Sequence, residues 1–191
     1  MRQGAAAMML LAAGCGAPAP PPAPPRVVLS TQNTGANVAP IVAFFRRTCL
    51  AAPADDGQMN AAIAGSGWPL RQTHAQDWEG PSVWEFDHGW LNWFHIRQMN
   101  ACILNLDSQV SPTPAALAAA LRPLVQRQGF EDRSEDQDPV VWAWPADGNH
   151  HMLLTIRTDR PEPGRTLGPG RQRVSLSVAR EPNTAAGQNR E

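Results

Sequence analysis

Five histidines, His74, His88, His95, His150 and His151, are the side chains of this chain best suited to acid–base or metal chemistry near neutral pH. Two groups of them stand beside carboxylates. Asp87 precedes His88, and Asp147 lies three residues before the His150-His151 pair. Both groups fall in segments that read as hairpin turns. Gathered at one sheet edge, Asp87, His88, Asp147, His150 and His151 would make a metal or acid–base site of the kind a hydrolase or metal-binding protein needs. No spacing among them is that of a standard zinc motif, and turn histidines are ordinarily solvated, so the candidate stands or falls with the fold. Ser66, between Gly65 and Gly67, does not complete the five-residue pattern of a nucleophile elbow and reads as a helix stop.

Composition excludes whole classes of chemistry. All 16 basic residues are arginine, and the chain holds neither lysine nor tyrosine. Without lysine there is no Schiff base, no Ser-x-x-Lys pair and no lysine-type phosphate loop. Without tyrosine there is no phenolic acid or nucleophile. No cofactor is expected. With 16 arginines against 17 acidic residues, no basic surface for nucleic acid is indicated either.

The cysteines divide into one and two. Cys15 follows a short apolar segment, Ala5 to Ala13, and the small residues Ala12-Ala13-Gly14. That segment begins after Met1-Arg2 and is far too short to span a bilayer, which takes about 20 residues. These 15 residues resemble the signal of bacterial lipoproteins, in which a peptidase cuts before a cysteine that then receives a diacylglyceryl thioether and an amide-linked acyl chain such as palmitate. Leucine stands four residues before this cysteine instead of the usual three. The resemblance implies a lipid anchor at Cys15 and a domain in the cell envelope facing the periplasm. A plain secretory signal cut near Gly16-Ala17, giving a soluble periplasmic or secreted protein, is the alternative. In either oxidising compartment Cys49 and Cys102 remain as an even pair, and a disulfide is the simplest reading. It would close a loop of about 50 residues, worth about 4 kcal/mol by loop entropy.

The rest of the chain must position these groups. Residues 1–14 read as signal peptide, 15–37 as anchor and Pro/Ala-rich tether, 38–181 as one globular domain and 182–191 as a polar tail. A first helix shows Val38, Ile41, Val42, Phe45 and Cys49 at helical spacing and exposes Arg46 and Arg47. A second starts at Asp55, where Gln58 completes a capping box, and stops at Gly65-Ser66-Gly67. Strands are predicted at Ser82 to Phe86, Trp90 to Ile96 and Ala101 to Leu106. A third helix carries Leu117, Ala120, Leu121, Leu124 and Val125, with a kink expected at Pro123 and an end at Gly129.

The second half then repeats the first. Pro81 to Phe86 lies on Pro139 to Trp144, Trp90 to Ile96 on His150 to Ile156, and Ala101 to Leu106 on Arg173 to Val178. Each half follows a helix closed by glycine and an aromatic residue, Gly67-Trp68 and Gly129-Phe130. The pattern predicts an α+β fold of two αβββ units, with about six antiparallel strands and the helices on one face. Alternation of Val174, Leu176 and Val178 with Ser175 and Ser177 predicts that the other face is wet. Trp84, Trp142 and Trp144 read as core, whereas Trp90 and Trp93 fall on opposite faces of one strand and mark a possible ligand or partner surface. The functional expectation is a non-enzymatic, membrane-tethered envelope protein that binds a protein or cell-wall partner. A periplasmic hydrolase or metal-binding protein built on the five hairpin residues is the alternative.

Overall fold

The computed structural model describes residues 22, 24–51, 53–77, 80–96, 99–127, 129–135, 139–147, 150–159 and 173–182. The predicted signal segment, Cys15 and the residues beyond Pro182 lie outside them.

Among the described residues three helices form where the apolar spacing places them. α1 (Val38–Thr48) follows a single 3-10 turn at Thr34–Asn37 and buries Ile41, Phe44 and Phe45. α2 (Asp56–Ala64) starts at Asp55, whose carboxylate accepts from the Gln58 backbone N–H at 2.8 Å. The Gln58 side chain reaches back to Ala54 N–H at 3.0 Å, one residue short of the usual capping-box partner. α3 (Pro114–Arg127) buries Leu117, Leu121 and Val125 and continues past Pro123 for a further turn. Gly67 and Gly129, which close the two repeats' helices, both adopt positive φ, 74° and 76°.

The strands are β1 (Arg71–His74), β2 (Ser82–Phe86), β3 (Gly89–Ile96), β4 (Met99–Asp107), β5 (Glu131–Asp132), β6 (Val140–Asp147), β7 (His150–Asp159) and β8 (Arg173–Pro182). All pairings are antiparallel, in the order β1-β2-β3-β4-β8-β7-β6-β5. Among the described residues the sheet thus has eight strands where about six were expected. The two extra ones are its edges. β1 is exposed along its whole length and β5 is two exposed residues, so neither carries the apolar alternation by which a strand is recognised. Short, polar edges also leave little template for pairing with another chain.

This order reads the same from either edge, so each repeat is α followed by four strands, and the halves meet at β4 and β8. Cys102 pairs with Val178 and Leu104 with Leu176, which places the pseudo-two-fold axis at the Ile103–Ser177 pair between them. The aromatic corners obey the same symmetry. Trp68 meets Phe86 edge-on at 5.3 Å, and Phe130 meets Trp144 at 3.5 Å. The proposed alignment needs correction at β4 with β8, by two residues, since Leu104 corresponds to Val178, and at β3 with β7. Trp84 pairs with Leu91 and its counterpart Trp142 with Leu154, so Leu91 corresponds to Leu154, not to His151. The second hairpin is longer, and a slip of three residues reverses which face each side chain takes.

Register defines the core face: Ser82, Trp84 and Phe86 of β2; Leu91 and Trp93; Cys102, Leu104 and Leu106; Val174, Leu176 and Val178; Leu154 and Ile156; Val140 and Trp142. Nearly all of these are buried in one cluster with the helix side chains. α1 reaches this face through the Cys49–Cys102 disulfide, Cα to Cα 5.3 Å. α2 reaches it where Trp84 Nε1 donates to Asn60 Oδ1 at 2.7 Å, and α3 where Arg122 lies 3.5 Å from Asp132.

The folded part begins earlier than residue 38. Val27 and Leu29 pack against the core, and Val27 N–H donates to Gly67 O at 2.8 Å. Asn37 is buried and ties this segment down: its Oδ1 accepts from Ser30 N–H, and its Nδ2 donates to Ser30 O and Val110 O, at 2.7–2.8 Å.

Candidate functional site

The opposite face of the sheet carries the residues between the core positions, arranged in rows across the strands. One row runs Glu85, Trp90, Asn105, Ser175, Arg157. The next runs Val83, Asn92, Ile103, Ser177, Thr155, Val141, and the one beyond it Phe94, Ala101, Ala179, Leu153, Ala143. Trp90, Phe94, Ile103, Leu153 and Val141 are half-buried. A face of this composition is intermediate between a core and a solvated surface, which is how interaction surfaces are built.

Trp90 and Trp93 separate as their parity requires. Trp93 is 5% exposed on the core face and is removed from the candidate surface; Trp90 stays on it. Trp84 and Trp142 are buried, and Trp144 packs against the core cluster. Arg173 places its guanidinium 4.2 Å from the centre of the Trp90 ring. It also pairs in register with Asp107 on one side and Asp159 on the other. One ring face is therefore occupied, and sugar stacking on that face is blocked. Beside it Ser175 Oγ donates to Asn105 Oδ1 at 2.9 Å, and both residues are buried, so Ser175 is dry where the alternation predicted a wet position. Arg173 and the Asn105–Ser175 pair were not foreseen, because cross-strand neighbours depend on a register that the sequence does not print.

The histidine–aspartate candidate does not assemble. Asp107 N–H donates to His88 O at 2.9 Å, and Asp107 pairs with Arg173 at the start of β8. His150 pairs with Pro182 at the other end of that strand. Nine strand steps, about 30 Å, separate the two groups. The two-fold axis is the reason: it makes the hairpins equivalent by sending them to opposite ends of the sheet. Asp87 and His88 lie at one end, and Asp147, His150 and His151 at the other. His150 Nδ1 stands 3.4 Å from an Arg180 guanidinium nitrogen. Among the described residues no three His, Cys, Asp or Glu side chains are grouped to hold a metal. One imidazole–carboxylate pair is His74, at the end of β1, with Asp77 in the exposed segment after it, 3.6 Å apart.

Ser66 is also accounted for locally. Its Oγ donates to Ile63 O at 2.6 Å and accepts from Trp68 N–H at 3.2 Å, as a helix stop should. A second hydroxyl, Ser82 Oγ, is buried and donates to Asp56 at 2.7 Å while accepting from Gln76 N–H at 2.7 Å. Gln72, Asn60 and Trp84 extend this network. The network holds α2 against β1 and β2.

On the helix side, a cavity of about 520 Å³ lies between α1 and the segment at Val27, lined by Pro40, Ala43, Phe44, Arg46, Arg47 and Trp68 among others. A second of about 210 Å³ lies across Val27, bounded by Arg26, Trp68, Phe86 and His88. No known protein family, curated protein or solved structure matches this chain.

Proposed function

We propose that this protein is a bacterial envelope lipoprotein, anchored through acylated Cys15 and facing the periplasm, whose helix-backed sheet presents the Trp90 face to a protein partner. The observation that carries the reading is the half-buried apolar set Trp90, Phe94, Ile103, Leu153 and Val141 on the face opposite the core. Aromatic anchors of this kind dominate interface energetics. The disulfide between Cys49 and Cys102 suits an oxidising compartment. No helix among the described residues is long and apolar enough to cross a membrane. A protein partner is favoured over a glycan because Arg173 already occupies one face of the Trp90 ring.

Affinity capture from cross-linked membranes tests this. Wild type should recover a partner that Trp90→Ala loses while its thermal unfolding stays cooperative. Recovery of nothing above background, or equal recovery by both proteins, would sink the proposal. Intact mass of the membrane-derived protein tests the anchor separately: a chain starting at diacylated, N-acylated Cys15 is the expected result.

A further inference from the structure

The distribution of charge along the chain is uneven. Residues 15–54 contain three arginines, Arg26, Arg46 and Arg47, and no acidic side chain; all 17 acids lie at or beyond Asp55. The fold gathers these arginines. Arg46 and Arg47 leave the last turn of α1 exposed and line the 520 Å³ cavity together with Val27, whose neighbour Arg26 lines the cavity on the other side, where Asp87 is the one acidic side chain of the lining. Val28, on the rim of the smaller cavity, is 83% exposed. Between the arginines the cavity wall is small or apolar: Pro40, Ala43 and Ala51, with Phe44 and Trp68 closing its floor.

This groove also lies where the chain from Cys15 enters the domain. Nine residue steps lead from Cys15 to Pro24, the start of the continuously described segment, and covalent geometry limits their span to about 30 Å. An acyl chain on Cys15 therefore holds this corner within reach of the headgroups.

We propose that the groove between α1 and the Arg26–Leu29 segment is a membrane-facing site for acidic phospholipid headgroups, with Arg46 and Arg26 pairing with phosphate oxygens and Val28 entering the interface. This rests on the anchor reading above. Arg47 contributes charge, but its guanidinium also donates to Gly65 O, so it is unsuited to a clean test. Each arginine near an anionic surface strengthens partition by roughly five-fold, and salt weakens it.

The experiment uses vesicles and the Cys15→Ser chain beginning at position 15, which retains every described residue and cannot be acylated. Sedimentation with phosphatidylglycerol vesicles should pull this chain down, and phosphatidylcholine vesicles should not. Arg26→Gln with Arg46→Gln should weaken binding roughly 25-fold. The double variant Arg71→Gln, Arg133→Gln, which removes the same charge from β1 and from the segment after β5, should leave binding unchanged. No binding to acidic vesicles, or equal loss in both double variants, overturns the proposal. Failure of the anchor reading would show differently, as an unacylated Cys15 in the membrane-derived protein, whatever the vesicles report.

Discussion

Asn37 illustrates how single side chains hold this molecule together. Its amide satisfies both backbone groups of Ser30 and the carbonyl of Val110, joining the entering segment to the loop before α3. Asn37→Ala leaves these groups unpaired in a buried place and should cost about 2–3 kcal/mol in urea unfolding. Asn37→Asp should cost at least as much at neutral pH, since a carboxylate would face two carbonyl oxygens. Asp132 makes a smaller, pH-dependent contribution. Hydrogen bonds from Ser134, then the nearby Arg122 and the Trp142 indole, hold its carboxyl below the usual aspartate value. A depressed pKa stabilises the fold above the unfolded value of 3.8 and loses that stability as pH falls through the folded value. The group is 43% exposed, so solvent screens the effect. Asp132→Asn should therefore lower Tm slightly at pH 6 and not at all near pH 2; equal loss at both would refute the linkage. At this scale the sequence was legible wherever parity alone decides, as with Trp90 against Trp93. It was mute on Arg173 and Ser175, whose partners lie across strands.

The helix ends show the same sequence device used under two constraints. Gly67 and Gly129 share a left-handed backbone, but a Cβ at Gly67 would overlap the Pro25 carbonyl, whereas at Gly129 it would meet open space. Gly129→Ala should thus cost about 1 kcal/mol of backbone strain alone. Gly67→Ala should cost more and displace the segment that donates from Val27, exposing the bond after Arg26 to trypsin in the native protein. Equal stability and equal cleavage in the two variants would show that the segment does not depend on this corner. Elements with a buried face were legible: α1, α2, α3 and the inner strands each carry apolar residues at the period of their structure. β1 and β5 were not, because an edge strand with solvent on both sides has no period to display.

For the whole molecule, the pseudo-two-fold axis at Ile103–Ser177 relates two four-stranded halves, and α1 belongs to neither. α1 packs against both α2 and α3, and its disulfide reaches Cys102 one position from the axis. The repeat was legible because Trp84 and Trp142 recur in matching contexts, but its geometry was not. Equivalence under a two-fold axis places matching hairpins far apart, which is why the histidines never meet. The axis also tells what the disulfide does. Both halves contribute to one continuous buried cluster, so the core does not need the bond to form. Loss of the cross-link should remove about 4 kcal/mol through the entropy of the unfolded chain. That is less than the total expected of a domain this size, so the reduced protein should remain folded with a lower urea midpoint. Cys49→Ser with Cys102→Ser should behave likewise. Hydrogen exchange should accelerate more in α1 than across β4 and β8, whose ladder bonds lie inside the sheet. An unchanged midpoint after reduction would mean that packing alone fixes α1 over the axis, and unfolding on reduction would mean that the two halves cannot hold their shared core without it.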